Sequence, residues 1–422
     1  MKRFAFGLLG MGLAVLVVAG CGGGSGKAGA LTIGNFNPFS GGDADFGPEM
    51  IGGCAPAVRL INAAGGVLGH TVKCVAVDTR GDPADAVPAA TKMLATTSNL
   101  VGVLGPSADE AQATVPVIDA AKIPMFADTG EAAFDHSKYT YFYRLTPADD
   151  VKGFALAQWA HDRGYTRAAA VFGSDIGAQS DVPTLVTAFK KLGGTIVSNQ
   201  KVALDQSSYR TEVTRMLATK PQVVFTEADP QTDATFLSEL KQLHGLIPVI
   251  STETSLQANW LKAVGGAIGE ADLTKFVTGM QPYAPTTGPA WKAYNKALVA
   301  SGSQVPKPEQ WATDPYSMTY YDAVNLVALA ILAAKSTTTS VFAPEIAKLT
   351  QTSPGSVTVY SFAEGKAALD AGKHIRYVGA GGQIVFDKWH NSSGAFEAAH
   401  GGGGTVKILG TVTAAQIAAL SK

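Results

Sequence analysis

The sequence predicts an α/β protein of two doubly wound, Rossmann-like lobes joined by a multi-strand hinge, on three observations. Short β-like runs alternate with helical segments of about 10–15 residues, the rhythm of a parallel sheet covered on both faces. That rhythm breaks at "YFYRLTPADD" (141–150) and then restarts with similar make-up. The chain is also 422 residues long, more than one hydrophobic core ordinarily serves.

The elements follow in order. "LTIGNF" (31–36) reads as the first strand. In "PEMIGGCAPAVRLINAAGG", Ile51, Cys54, Val58 and Ile61 recur at helical spacing, and Gly65–Gly66 stop the helix. "TVKCVAVD" is the next strand, followed by a helix with Asp82 as N-cap and Pro83 at its first position. "LVGVLGP" and "IPMFADT" are strands flanking the helix "SADEAQATVPVIDAAK". After the break, "RAAAVFG", "TIVSNQ", "QVVFTEA" and "IPVIST" are strands, with helices beginning near Val151, Gln179, Ser207, Gln231 and Leu256. A last block holds helices at 288–301 and 315–334, then β-like runs at "GGQIVFD" and "TVKILGTV". No Pro/Ser linker separates the lobes, so the chain is expected to cross between them more than once. We assign 31–148 plus 282–390 to an N-terminal lobe and 149–281 plus 391–422 to a C-terminal lobe.

Charge excludes one class of partner. With 33 Lys+Arg against 34 Asp+Glu and no dense basic run after the leader, nothing marks a nucleic-acid surface. The N-terminus carries a different signal. Lys2 and Arg3 precede an apolar stretch from Phe4 to Val18, too short to span a bilayer, and "LVVAGC" resembles a bacterial lipobox. The resemblance implies a signal peptide over 1–20, lipid on Cys21, and a flexible tether over 21–30 rich in glycine. The alternative is a secretory leader cut elsewhere. "AVNLVALAILAA" (323–334) is the best later candidate for a membrane span, but its length fits a buried helix. The folded body is therefore expected outside the cytoplasmic membrane. With Cys21 lipidated, Cys54 and Cys74 remain on adjacent predicted elements, either as a disulfide or as two buried thiols. Neither has a partner at metal-ligand spacing, and no cofactor motif is present.

Ligands of open parallel sheets bind beyond the carboxyl ends of the strands, where helix N-termini present N–H groups. That rule selects Ser107, Thr129, Ser174, Asp175, Asp229 and Glu253.

At this point the chain resembles the type I periplasmic binding proteins of the leucine/isoleucine/valine class, which serve ABC transporters. The resemblance rests on "FGPEMIGGCAPAVRLINAAGGVLGHTVKCVAVDTRGDPADAV", "VGVLGPSADEAQATVPVIDAAKIPMFADTG", "FGSDIGAQS" and "DPYSMTYYDAVNLVALAILAA", in that order and spacing. It implies a Venus-flytrap mechanism, in which lobes close on a small molecule and the closed form docks on a membrane permease. Glu253 occupies the position that holds a ligand amino group; the alternative is a solvated loop carboxylate. Ser107 and Thr129 stand in the region that holds a ligand carboxylate, with Ser107 equally suited to capping a helix. Phe46 matches an aromatic that packs on the ligand, or else belongs to the core. Ile176 and Asp229 replace frequent tyrosines, and Asp229 precedes Pro230 as a helix cap would. A cleft carrying Glu253 with Glu131 or Asp229 leans towards an amine-bearing, cationic or polyol ligand. Enzyme readings have little support: the seven histidines form no close pair, and "GSDIG" lacks the spacing of a nucleophile elbow. A sensor presenting ligand to a separate receptor is the rival within the same fold.

Overall fold

A computed structural model describes residues 28–420 apart from 42, 43, 45, 383, 393, 403 and 404. The leader, Cys21 and most of the tether lie outside the described residues. Five strands, β1 (Ala28–Asn37), β2 (His70–Asp78), β3 (Leu100–Ser107), β4 (Met125–Asp128) and β5 (Phe142–Arg144), form an all-parallel sheet in the order β2-β1-β3-β4-β5. The chain between the first four strands supplies α1 (Phe46–Ala63), α2 (Pro83–Thr96) and α3 (Ala108–Ala120). As the sequence predicts, Asp82 caps α2, its carboxylate accepting from Ala84 N at 2.7 Å, with Pro83 at the first helical position. Cys54 on α1 and Cys74 on β2 are joined by a disulfide, with Cα atoms 6.3 Å apart.

The chain then leaves this sheet and builds a second one. The elements are α4 (Asp149–His161), β6 (Arg167–Gly173), α5 (Ile176–Lys191), β7 (Thr195–Val202), α6 (Arg210–Ala218), β8 (Val223–Glu227), α7 (Pro230–Leu243), β9 (Val249–Thr252), α8 (Ala258–Ile268), α9 (Glu270–Phe276) and β10 (Val277–Pro282). Each helix predicted to begin near 151, 179, 207, 231 and 256 is present, starting within about three residues of the expected point. The helix α4 is apolar nearly all round, and every residue from Lys152 to Ala160 is buried. Gly153 lets it approach α5 closely, because a Cβ there would meet Thr184 Oγ1 at 2.2 Å and Leu185 N at 2.7 Å.

After β10 the chain returns to the first sheet with α10 (Gly288–Ala300), α11 (Pro315–Ala334), α12 (Thr339–Lys348), β11 (Val357–Val359), α13 (Phe362–Asp370) and β12 (Ile375–Tyr377). The helix α11 is long and apolar enough to cross a membrane by length and composition, yet it lies buried in the first core, against α1, α12, α13 and β3. Gly53 on α1 makes this approach feasible, since a Cβ would sit 2.4 Å from Ser317 O. Inside α11, the Asp322 carboxylate accepts from Tyr377 Oη, Ala380 N and Gly381 N, all at 2.8 Å, pinning the 377–381 loop.

The strand expected at "GGQIVFD" (381–387) is not one. Ile384 and Phe386 turn into the first core and Val385 turns outward, the period of a strand. However, among the described residues there only Gly382 pairs, in an isolated bridge to Gly379 that continues into no ladder. A final crossing leads to β13 (Phe396–Gly402), β14 (Thr405–Val412) and α14 (Ala414–Leu420). The run expected at "TVKILGTV" is β14 itself. The second sheet has the order β14-β13-β10-β9-β8-β6-β7, parallel from β10 to β7 and antiparallel at β10–β13 and β13–β14.

Candidate functional site

The carboxyl ends of strands from both sheets open onto one cleft of about 470 Å³. From the first sheet, Ser107 at the end of β3, Asp109 on α3 and Asp128 at the end of β4 reach its wall. From the second, Asp175 follows β6, Asp205 follows β7, Glu227 ends β8 and Glu253 follows β9. Pro147, Pro282 and Phe396 come from the crossing segments, and Tyr316 from α11.

Of the six residues expected to meet ligand, Phe46, Ser107, Asp175, Asp229 and Glu253 line this cleft. Thr129 does not. It is fully buried, and its hydroxyl donates to Glu131 Oε1 at 3.3 Å. Glu131, itself buried, also receives Gln112 Nε2, so its carboxylate serves the inside of the first lobe rather than the wall. Two of the lining acids double as helix caps. Asp175 accepts from Ala178 N at 2.7 Å, and Asp229 accepts from Gln231 N at 2.9 Å and Thr232 N at 3.1 Å. Ser107 N donates to Glu110 Oε1 at 3.4 Å, half of a capping box at the start of α3.

The feature that sequence reasoning missed is Lys152. Its ammonium lies 3.1 Å from Glu253, 3.2 Å from Asp181, 3.4 Å from Asp149 and 4.0 Å from Glu227. Burial alone would lower the Lys152 pKa, but these carboxylates together hold it well above its ordinary value. The acids are shifted upward too, by burial. Burial raises Asp149, Glu227 and, most strongly, Asp181, against the opposing pull of Lys152. Asp128 is pushed up to about 8 by burial and then by the charge of Glu253. Asp109 is raised by burial and by Asp175 across the cleft. Asp109 also accepts from Gly177 N at 3.4 Å, a hydrogen bond running from α3 to α5. A lone lysine in the otherwise apolar "VKGFALAQWA" was the visible signal; Asp149 stands at i,i+3 spacing from it, but Asp181, Glu227 and Glu253 lie too far along the chain to be paired with it by spacing.

Eight carboxylates therefore line the cleft, and Lys152 is the one basic side chain among the described lining residues. Among the described residues, no group of three or more His, Cys, Asp or Glu side chains is arranged to hold a metal ion. A second cavity of about 420 Å³ adjoins the cleft, bounded by the three crossing segments and by Trp291, Thr319, Tyr360 and Ile384. It shares Thr146, Pro147, Pro282 and Tyr316 with the cleft.

A profile of a periplasmic binding protein family matches residues 30–379. No curated protein sequence matches. Among solved structures, the leucine-binding protein LivK of Thermotoga maritima superposes with a TM-score of 0.72 at 16% identity, covering 92% of this chain and 99% of that one. The branched-chain amino acid binding protein LivJ of Streptococcus pneumoniae, in complex with isoleucine, gives 0.70 at 18% identity, with 90% and 99% covered. A solute-binding protein of an ABC transporter from Rhodopseudomonas palustris, in complex with p-hydroxybenzoic acid, gives 0.70 at 18% identity, with 91% and 97% covered.

Proposed function

Because the chain belongs to the periplasmic binding protein family, with the type I two-lobe fold, we propose that it captures a small polar solute outside the cytoplasm and delivers it to an ABC permease. The solute is an amino acid or a related amine or amide. The family is one of solute-binding proteins rather than enzymes. In this reading the lobes comprise 31–148 plus 282–390 and 149–281 plus 391–422, and they close on the solute about the three crossing segments. Lipid on Cys21 holds the protein at the membrane through the 21–30 tether.

The observation that carries the reading is the cleft itself, built from the carboxyl ends of strands of both sheets. Glu253 is the group that meets the solute's amino nitrogen, with Tyr316 beside it and Phe46 packing on its apolar part. Isoleucine and p-hydroxybenzoic acid occupy two of the structural relatives. The acid-rich wall of this chain favours an amine-bearing solute over an aromatic acid, since carboxylates repel a carboxylate.

The test is a thermal-shift screen on protein from Gly22 onward, unfolded and refolded to strip bound solute. Amino acids, amides, amines, sugars and aromatic acids make up the panel. A stabilising amine-bearing compound whose effect disappears in Glu253→Gln supports the reading. Stabilisation by sugars or aromatic acids alone overturns the solute class, and a silent panel overturns capture. For the anchor, labelled palmitate is expected to enter the wild-type protein in cells and not Cys21→Ser; equal labelling removes Cys21 from the account.

A further inference from the structure

We propose that the cleft takes an organic solute carrying at least two separated positive charges and no carboxylate, of the oligoamine or amino-guanidine kind, held between acids of both walls. This rests on the solute-binding reading of the same cleft and narrows it.

The first ground is the distribution of charge. Asp109 and Asp128 stand on the first-sheet wall, five acids stand on the second-sheet wall, and Asp149 lies between them on α4. A single ammonium at Glu253 leaves Asp109 and Asp128 on the opposite wall without a cationic partner, and a cation beside Asp128 favours its ionised form. Two cationic groups separated by a methylene chain answer both walls.

The second ground is that the cleft's one cation and several of the helix N-terminal N–H groups able to hold a ligand carboxylate are already bonded to the protein's own acids. Lys152 is committed to Asp149, Asp181 and Glu253 at 3.1–3.4 Å. The helix N-termini facing the cleft normally favour anions, but here the protein's own carboxylates take their N–H groups. Asp175 takes Ala178 N, Asp109 takes Gly177 N, and Asp229 takes Gln231 N and Thr232 N. Glu110 takes Ser107 N. The site has thus supplied its own anions where a zwitterionic solute would place one.

A third observation points to an occupant at the junction of the cleft and the neighbouring cavity, both of which Thr146 lines. Thr146 is 6% exposed and lines the cleft, and its hydroxyl has no hydrogen-bond partner in the protein. Burying such a group costs free energy unless something bonds to it. A hydroxyl oxygen accepts an amine N–H, so a bound amine satisfies it. Phe46, Tyr316, Leu204 and Phe396 offer apolar and aromatic surface for the methylene chain, and aromatic faces attract cations. The absence of a metal-holding group among the described residues favours an organic cation over a divalent ion.

The experiment is calorimetric titration of the refolded, solute-free protein near neutral pH with 1,4-diaminobutane, spermidine, butylamine, isoleucine, benzoate and calcium. The diamine or the triamine is expected to bind at least about tenfold more tightly than butylamine, with no heat from isoleucine, benzoate or calcium. Asp128→Asn on one wall and Asp205→Asn on the other are each expected to weaken the better oligoamine about tenfold. Asp205 lies on an exposed loop, so its variant keeps the test alive if Asp128→Asn does not fold. Preference for isoleucine or benzoate overturns the inference and leaves solute capture standing. Equal affinity for butylamine and the diamine, binding of calcium alone, or oligoamine binding untouched in the folded variants also overturns it. A protein that binds none of these, and nothing in the wider screen, loses both this inference and the capture reading.

Discussion

Replacing Lys152 with methionine keeps a buried chain of similar bulk and removes one positive charge from among Asp149, Asp181, Glu227 and Glu253. No other basic side chain makes an ion pair with any of these four acids among the described residues. The protein answers such a loss in the least costly way, by taking up about one proton on the cluster. Asp149, Asp181 and Glu227 already have raised proton affinities, so most of the group does not need a second one. Protonating a carboxyl of ordinary pKa near 4 costs about 1.4 kcal/mol per pH unit, or about 4 kcal/mol at pH 7. That falls within the roughly 3–5 kcal/mol found when one partner of a buried ion pair is deleted. At pH 5 the same protonation costs only about 1–2 kcal/mol. Urea unfolding of wild type and Lys152→Met, followed by tryptophan fluorescence at both pH values, is the assay. The expected destabilisation is about 4 kcal/mol at pH 7, shrinking by more than half at pH 5. An equal loss at the two pH values would assign Lys152 to packing, and a loss under about 1 kcal/mol at pH 7 would refute the charge argument.

Two other expectations follow from the same structure. Solute-free protein should lose stability as pH rises from about 4 to 8: Asp128, held near 8, and Asp233 and Asp322, held near 7 by burial, bind protons in the folded state that the unfolded chain has released. Melting temperatures rising across that range would contradict this, and a bound cation should flatten the fall because it favours the ionised Asp128. Replacing both Cys54 and Cys74 with serine should cost on the order of 3 kcal/mol, since the bond closes a loop with a sequence separation of 20. A unchanged urea midpoint, with wild type equally indifferent to reductant, would show that the bond contributes nothing.

The fold was legible because its signals are local. Alternating strands and helices, the Asp82–Pro83 helix start and the buried apolar run of α11 each occupy a short window in which periodicity decides the outcome. The segment at 381–387 shows the limit of that logic: Ile384 and Phe386 alternate inward as in a strand, but a strand also needs a neighbour, which is a long-range fact. The cleft divides in the same way. The strand-end rule reached Ser107, Asp175, Asp229 and Glu253, because each ends its strand or lies within two residues of its end. It landed one residue beyond Asp128, on Thr129, since successive residues face opposite ways and one step exchanges wall for core. The rule did not reach Lys152. That residue is separated from Glu253 by 101 positions, and only the packing of α4 against α5 and β9 brings its partners together. Helical spacing names Asp149 at i,i+3, but no spacing names Asp181, Glu227 or Glu253.

A crystal structure of the protein with the tightest-binding solute from the screen tests capture in the cleft most directly. One solute is expected between the sheets, with cationic nitrogen against Glu253 and a second contact to Asp128 or Asp109 on the opposite wall. A solute seated in the neighbouring cavity around Trp291 and Tyr360, with the acid-lined cleft empty, would contradict it.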